Sequence, residues 1–259
     1  MGLVNDAASF ATTLVRLGRG LYSTVTAGER PSPRRMLELY EFENCPYCRK
    51  VREVLCELDL DYLSRSVAHG SPRRSELLRA GGKVQAPYLI DPNTDVAMYE
   101  SSDIIDYLNE TYGDGKRAGW SLPVPGIVDN LVSGLASATR LTRGTNTRAG
   151  ARTVRLDPLV LYNMEGSPYC RKVREALCEL DLEFVVRNMP KGSPKRQDLV
   201  ERGGKFQVPY LVDPNTGEEM FESDDIVAYL HASYGSTKPA ARRSSAANAG
   251  GRRGAKRSG

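Results

Sequence analysis

Cys45-Pro46-Tyr47-Cys48 sets two thiols three residues apart at the start of an amphipathic run, a spacing suited to dithiol redox chemistry. Cys45 is placed as a helix N-cap with Pro46 at the first helical position, where the missing N–H costs nothing. The free N–H groups and positive end of that helix favour a thiolate, the attacking species. Cys48 falls one turn in, on the side of Val51, so an exposed attacking thiol and a shielded resolving thiol are expected. Arg49 and Lys50 add positive charge to this helix start, and Glu43 opposes them. The bland alternative is a pair of packed cysteines.

The same stretch occurs a second time as Ser167-Pro168-Tyr169-Cys170. Serine is a good N-cap and needs no further role there, although its hydroxyl could also hydrogen-bond a bound thiol. Cys170, without a partner, is expected to be inert. Cys56 and Cys178 recur near the end of the same helix. Cys56 lies about 16 Å along it from Cys45, too far for a bridge, so both read as small core residues.

These elements belong to a duplication. Residues 37–113 align with 159–235 without a gap, 44 of 77 positions being identical. In each copy the pattern predicts a strand (Leu37–Tyr40), a helix opened by Pro46 with Val51, Val54, Leu55 and Leu58 buried, and a strand from Tyr62 to Val67. A short helix over Ser75–Arg79 then stops at Gly81-Gly82, a hairpin crosses Asp91–Thr94, and a last helix spans Ser101–Tyr112. The order β-α-β-α-β-β-α with thiols at the first helix start is thioredoxin-like. Before each copy stands an amphipathic stretch, Val4–Leu21 and Val128–Leu141, followed by a Gly-, Pro- and Arg-rich loop. The expected division is 1–36 helix and linker, 37–113 first domain, 114–158 helix and linker, 159–235 second domain, and 236–259 a basic disordered tail.

Two further constellations recur. Gln85-Ala86-Pro87 and Gln207-Val208-Pro209 precede the third strand, where the bond before proline can be cis. If it is, the backbone of Ala86 or Val208 faces the thiol helix and can pair with an extended thiol peptide. Glu100-Ser101 and Glu222-Ser223 open the last helix. The serines are N-caps on the bland reading; on the functional one the helix start and hydroxyl receive a ligand carboxylate. Asp103 and Asp225 either meet a ligand amino group or complement the helix dipole.

The ordered set of C-P-Y-C or S-P-Y-C, R-K-V-R-E, Q-x-P and E-S-x-D-I resembles the N-terminal domain of glutathione transferases, and C-P-Y-C itself resembles dithiol glutaredoxins. The resemblance implies an α/β chain of two tandem thioredoxin-like domains, each with a glutathione site. It implies that Tyr47, Gln85, Ala86, Pro87, Glu100 and Ser101 hold glutathione in the first copy, and Ser167, Tyr169, Gln207, Val208, Pro209, Glu222 and Ser223 in the second. Cys45 is then the nucleophile and Cys48 the resolving thiol. Neither copy is followed by a sequence that reads as the family's all-helical domain, and Phe42 stands where glutaredoxins often carry lysine.

The formal charge of +4 comes from the tail, whose seven basic residues, set against no acid, leave −3 on the rest. No aromatic residue interleaves them, so nucleic acid is not expected as a partner. No apolar run reaches the roughly 20 residues a membrane span needs. The cysteines are not spaced as a secreted disulfide framework, and a cytoplasmic location is expected. His69 and His231 are the only histidines and no second ligand pair follows the C-x-x-C, so no metal is expected. The leading expectation is glutathione-linked thiol–disulfide exchange through Cys45 and Cys48, with glutathione as co-substrate or a glutathionylated partner, while the second copy binds glutathione without dithiol chemistry. The alternatives are a non-catalytic binding module, a glutathione transferase and an iron–sulfur carrier, the last disfavoured by the stiff Pro46. Oligomeric state is left open.

Overall fold

The computed structural model describes residues 20–24, 32–114, 144–147 and 156–235. The expected amphipathic helices, apart from Gly20 and Leu21, and the basic tail lie outside the described residues. Each copy runs strand, helix, strand, helix, two strands, helix. The first comprises β1 (Leu37–Glu41), α1 (Pro46–Glu57), β2 (Tyr62–Ser66), α2 (Arg73–Gly81), β3 (Tyr88–Asp91), β4 (Val96–Met98) and α3 (Ser101–Tyr112). The second repeats it as β5 (Leu159–Asn163), α4 (Pro168–Glu179), β6 (Phe184–Asn188), α5 (Arg196–Gly203), β7 (Tyr210–Asp213), β8 (Glu218–Met220) and α6 (Ser223–Tyr234).

Alternation along β1 decides which layer each residue joins. Leu37 and Leu39 turn to the side of α1 and α3, packing with Val51, Leu55, Ile104 and Leu108. Tyr40 joins Val67, Leu77 and Tyr88 on the side of α2. Burying a leucine such as Leu39 contributes about 1.5–3 kcal/mol. Gly82 and Gly204 end α2 and α5 in the left-handed region (φ 77° in both), their N–H groups returning to Leu78 O and Val200 O. The Asp91 carboxylate ties α3 to β3, accepting from Tyr107 Oη at 2.7 Å and Tyr112 Oη at 2.5 Å.

The two copies share one sheet of eight strands in the order β4-β3-β1-β2-β6-β5-β7-β8. Within each copy the first two strands are parallel and the hairpin is antiparallel to them. The copies join where β2 pairs antiparallel with β6, Tyr62 opposite Val186, Leu63 opposite Val185 and Ser64 opposite Phe184. Leu63 and Val185 are equivalent positions, so this register places a pseudo-twofold axis between them. One apolar cluster on the α1 and α4 side runs through both copies.

Two short segments cross this seam. Residues 20–24 lie between α1 and the second copy, with Ser23 N donating to Lys191 O and Lys191 N to Leu21 O. Residues 144–147 mirror them against the first copy, with His69 N donating to Thr145 O and Thr147 N to His69 O, both at 2.8 Å.

Candidate active site

α1 starts where Pro46 supplies a preset φ and no N–H, and Cys45 caps it in an extended conformation (φ −74°, ψ 119°). The Cys45 sulfur accepts from Cys48 N–H at 3.2 Å. The Cys48 side chain and N–H, with Tyr47 N–H and the Arg52 guanidinium, favour the Cys45 thiolate over the desolvation that opposes it, so its pKa is lowered. Burial drives the Cys48 thiol well above its ordinary value, and the hydrogen bond to Cys45 adds to this.

Cys45 is not the exposed thiol that its capping position suggests. It is only 3% exposed and Cys48 is fully buried. The loop before β3 closes over Cys45: the Ala86–Pro87 bond is cis and Ala86 O lies 4.0 Å from Cys45 Sγ. Tyr47, at 49%, is what the motif presents to solvent, and Tyr169 does so in the second copy.

A cation that the sequence reading did not single out also bears on Cys45. Arg52, seven residues on and therefore on the same helix face, lowers the Cys45 pKa by its charge. Its Nη1 donates to Glu41 Oε2 at 2.6 Å, its Nη2 to Glu43 O at 3.2 Å and its Nε to Glu165 Oε1 of the other copy at 3.2 Å. Arg174 mirrors it, with Nη1 on Asn163 Oδ1 at 2.6 Å and a two-pronged grip on Glu43 at 2.9 and 3.1 Å. Burial pushes the Glu43 carboxyl up, but Arg174 and Arg52 outweigh it and hold it at about 2. Glu43 thus faces the seam between the copies, where sequence alone set it against Arg49 and Lys50.

Gln85 and Glu100 come together, Gln85 Nε2 donating to Glu100 Oε1 at 2.8 Å; Gln207 and Glu222 repeat the bond at 2.6 Å. Ser101 and Ser223 are not the N-caps. Glu100 and Glu222 hold that position, without a side-chain cap bond, and each serine is the first helical residue. Both glutamates have positive φ, 64° and 65°, a conformation that costs a non-glycine residue about 1–3 kcal/mol. Asp103 and Asp225 stand exposed in the first turn of their helices.

In the second copy Ser167 caps α4 with nearly the same backbone (φ −75°, ψ 124°), its Oγ accepting from Cys170 N–H at 3.3 Å. Val208–Pro209 is cis as well. Cys170 is fully buried, which raises its thiol pKa. Cys56 and Cys178 are buried too, and each does more than fill space: Cys56 Sγ donates to Gly20 O and Cys178 Sγ to Gly144 O, both at 3.2 Å. Arg52, Glu165 and Thr145 escaped the sequence reading. The signal for Arg52 was its helical phase with Cys45; the other two carry none that one copy could display. Among the described residues no group of His, Cys, Asp or Glu converges as a metal site would, and no helix is long and apolar enough to cross a membrane.

Comparison with known proteins adds three findings. The model of the family described as "Glutathione S-transferase, N-terminal domain" matches residues 39–117 and again 161–239, more than half of the chain. Over 79 residues the chain is 34% identical to the "Glutathione S-transferase-like protein tpcF" of Aspergillus fumigatus, a match covering 30% of this chain and 35% of that one. The chain therefore spans about a third of the length of this curated relative. Among solved structures it is similar to TDR1 of Leishmania, described as a trimeric glutathione transferase, at 16% identity over 82% of this chain and 70% of that one, with a TM-score of 0.28. So loose a superposition adds nothing to the fold described above.

Proposed function

Because the chain belongs, through both of its copies, to the family of glutathione S-transferase N-terminal domains, we propose that its first copy carries out glutathione-linked thiol–disulfide exchange. The observation that carries this reading is the sulfur of Cys45 at the N-terminus of α1, 3.2 Å from Cys48 N–H and 4.0 Å from Ala86 O. A thiolate there attacks the glutathione sulfur of a mixed disulfide, forming a Cys45–glutathione disulfide and expelling the substrate thiolate, which takes up a proton. A second glutathione thiolate then attacks that bond, releasing oxidised glutathione and restoring the Cys45 thiolate. The sum of the two steps converts one mixed disulfide and one glutathione thiol into one substrate thiol and one oxidised glutathione.

Cys48 could resolve the same intermediate, giving a Cys45–Cys48 disulfide and free glutathione. Its thiol is held protonated by burial, and only a thiolate attacks, so the route through a second glutathione is favoured. Glu100 and Ser101 would hold the γ-glutamyl end of glutathione at the start of α3, and the Gln85, Ala86 and Pro87 backbone its cysteinyl part. Gln207, Glu222, Ser223, Val208 and Pro209 would do the same in the second copy. There Ser167 would donate a hydrogen bond to the glutathione sulfur without attacking.

The test is glutathione-dependent reduction of a small mixed disulfide by the intact protein and by Cys45→Ser. Turnover that vanishes with Cys45 supports exchange; equal turnover in both would sink it. A second reading, a non-catalytic binding module, is favoured by one observation, the 3% exposure of Cys45. It predicts glutathione binding by calorimetry with no turnover, and Cys45 alkylation no faster than that of a model thiol.

A further inference from the structure

The loop that brings Cys45 to its helix, residues 42–44, is gripped at each position, and part of the grip comes from beyond the first copy. Phe42 O and Glu43 O accept from Arg52 at 3.5 and 3.2 Å, and the remaining Nε of Arg52 is pinned by Glu165 of the second copy at 3.2 Å. The Glu43 carboxylate is forked by Arg174 of the second copy. Asn44, next to Cys45, donates through Nδ2 to Thr145 Oγ1 at 3.1 Å. Thr145 belongs to neither copy; it lies in the segment 144–147 that leads into the second.

That segment is anchored at both sides. Thr145 O accepts from His69 N, and Thr147 N and Oγ1 both donate to His69 O. On the other side Gly144 N donates to Glu179 Oε1 at 3.2 Å and Gly144 O accepts from Cys178 Sγ. Gly144 has φ 68°, and a Cβ there would come within 2.8 Å of Glu43 Cβ, so the backbone runs against the loop itself. The arrangement is not repeated faithfully. Gly166 replaces Asn44 in the second copy and has no side chain to offer; its N–H donates to Gly20 O at 3.4 Å.

We infer that Thr145, Glu165 and Arg174 are positioning residues for Cys45, so that the half of the chain lacking the dithiol completes the site of the half that has it. Thr145 acts through Asn44, Arg174 through Glu43, and Glu165 through Arg52. None of the three touches the sulfur; together they hold the loop so that the sulfur stays in line with Cys48 N–H and near Arg52. A buried two-pronged arginine–carboxylate bond has the directionality such a role needs. The inference rests on Cys45 being the reacting thiol.

The test titrates the ultraviolet thiolate absorbance of the reduced full-length protein, with Cys45→Ser subtracted, in wild type, Thr145→Val, Thr145→Ser and Arg174→Lys. Thr145→Val keeps the backbone bonds to His69 and loses one side-chain bond to Asn44. Its Cys45 midpoint should rise by less than about one pH unit, the worth of one net hydrogen bond being the upper limit because that bond does not reach the sulfur itself. Thr145→Ser should restore it. Arg174→Lys keeps the charge and loses the fork, so its midpoint should also rise while circular dichroism stays native. A thermal loss without a midpoint change would mark these residues as merely structural and overturn the inference. Should Arg174→Lys fail to fold, the valine and serine pair decides. The absorbance does not depend on turnover, so the two failures are told apart: unshifted midpoints overturn the positioning role, whereas unchanged turnover in Cys45→Ser overturns the exchange reading on which it rests.

Discussion

The two copies of the domain differ least where a difference would be expected to matter. Cys45 and Ser167 cap their helices with backbones within a few degrees of each other, and each accepts the same N–H, at 3.2 and 3.3 Å. The cis-proline loops and the glutamine–glutamate pairs are duplicated as well. Sulfur exchanged for oxygen in an unchanged frame shows that the frame is a capping and binding device first and a reactive one only when the cap is a thiol. A second asymmetry sits beside it. Glu41 supplies a buried carboxylate to Arg52, whereas Asn163 supplies a neutral amide to Arg174. The extra charge lies on the side of the thiol.

The sharpest way to break this comparison is to exchange the caps. Cys45→Ser should reduce mixed-disulfide turnover to background, and adding Ser167→Cys to it should bring measurable turnover back through the second copy. A double variant that stays silent while binding glutathione by calorimetry would show that the frames are not equivalent. Next in size is the seam. Arg52→Ala and Arg174→Ala should each cost about 3–5 kcal/mol in chemical denaturation, since each leaves buried carboxylates unpaired. Arg202→Ala, which breaks an exposed pair with Glu219, should cost no more than about 1 kcal/mol. Similar values for all three would remove the seam as the joint between the copies.

Glu43 gives a pH signature. Its folded pKa of about 2 lies below its ordinary 4.5, so its carboxylate stabilises the fold above about pH 4.5 and that contribution disappears as pH falls to about 2. The melting-temperature gap between wild type and Glu43→Gln should therefore be full at neutral pH and close across that window; a constant gap would contradict the cross-copy pairing. Smallest of all, Cys48→Ser should keep most of the turnover and Cys170→Ser nearly all of it, as measured by the same glutathione assay. A collapse with Cys48→Ser would point instead to the intramolecular route.

The elements of each copy were legible because the repeat is gap-free and its punctuation is strong: Pro46 and Pro168 open helices, Gly82 and Gly204 close them, and Pro87 and Pro209 mark the loop before the third strand. Cys45 as a cap was legible for the same local reasons. The approach of the Ala86 backbone to the thiol helix was legible too, through the proline that follows it; how completely the thiol is buried was not, since that depends on packing from 41 residues away. Arg52 and Arg174 were hidden by their setting. R-K-V-R-E displays charge without showing what it meets, and only the pairing of β2 with β6 reveals that the two helices' Arg52 and Arg174 face each other's copy. The serine caps at Ser101 and Ser223 failed because Glu100 and Glu222 take a positive φ, which no local preference foretells.

The register centred on Leu63 and Val185 bears on solubility. By pairing β2 with β6, the chain consumes the two five-residue strands that each copy alone would leave as an open margin, with unpaired N–H and C=O groups ready to recruit a neighbouring chain. What remains at the margins of the sheet are β4 and β8, three residues each. β8 carries Glu218 and Glu219, which repel an added strand. β4 reads Val96-Ala97-Met98 and carries no charge, so its protection against an added strand is its three-residue length.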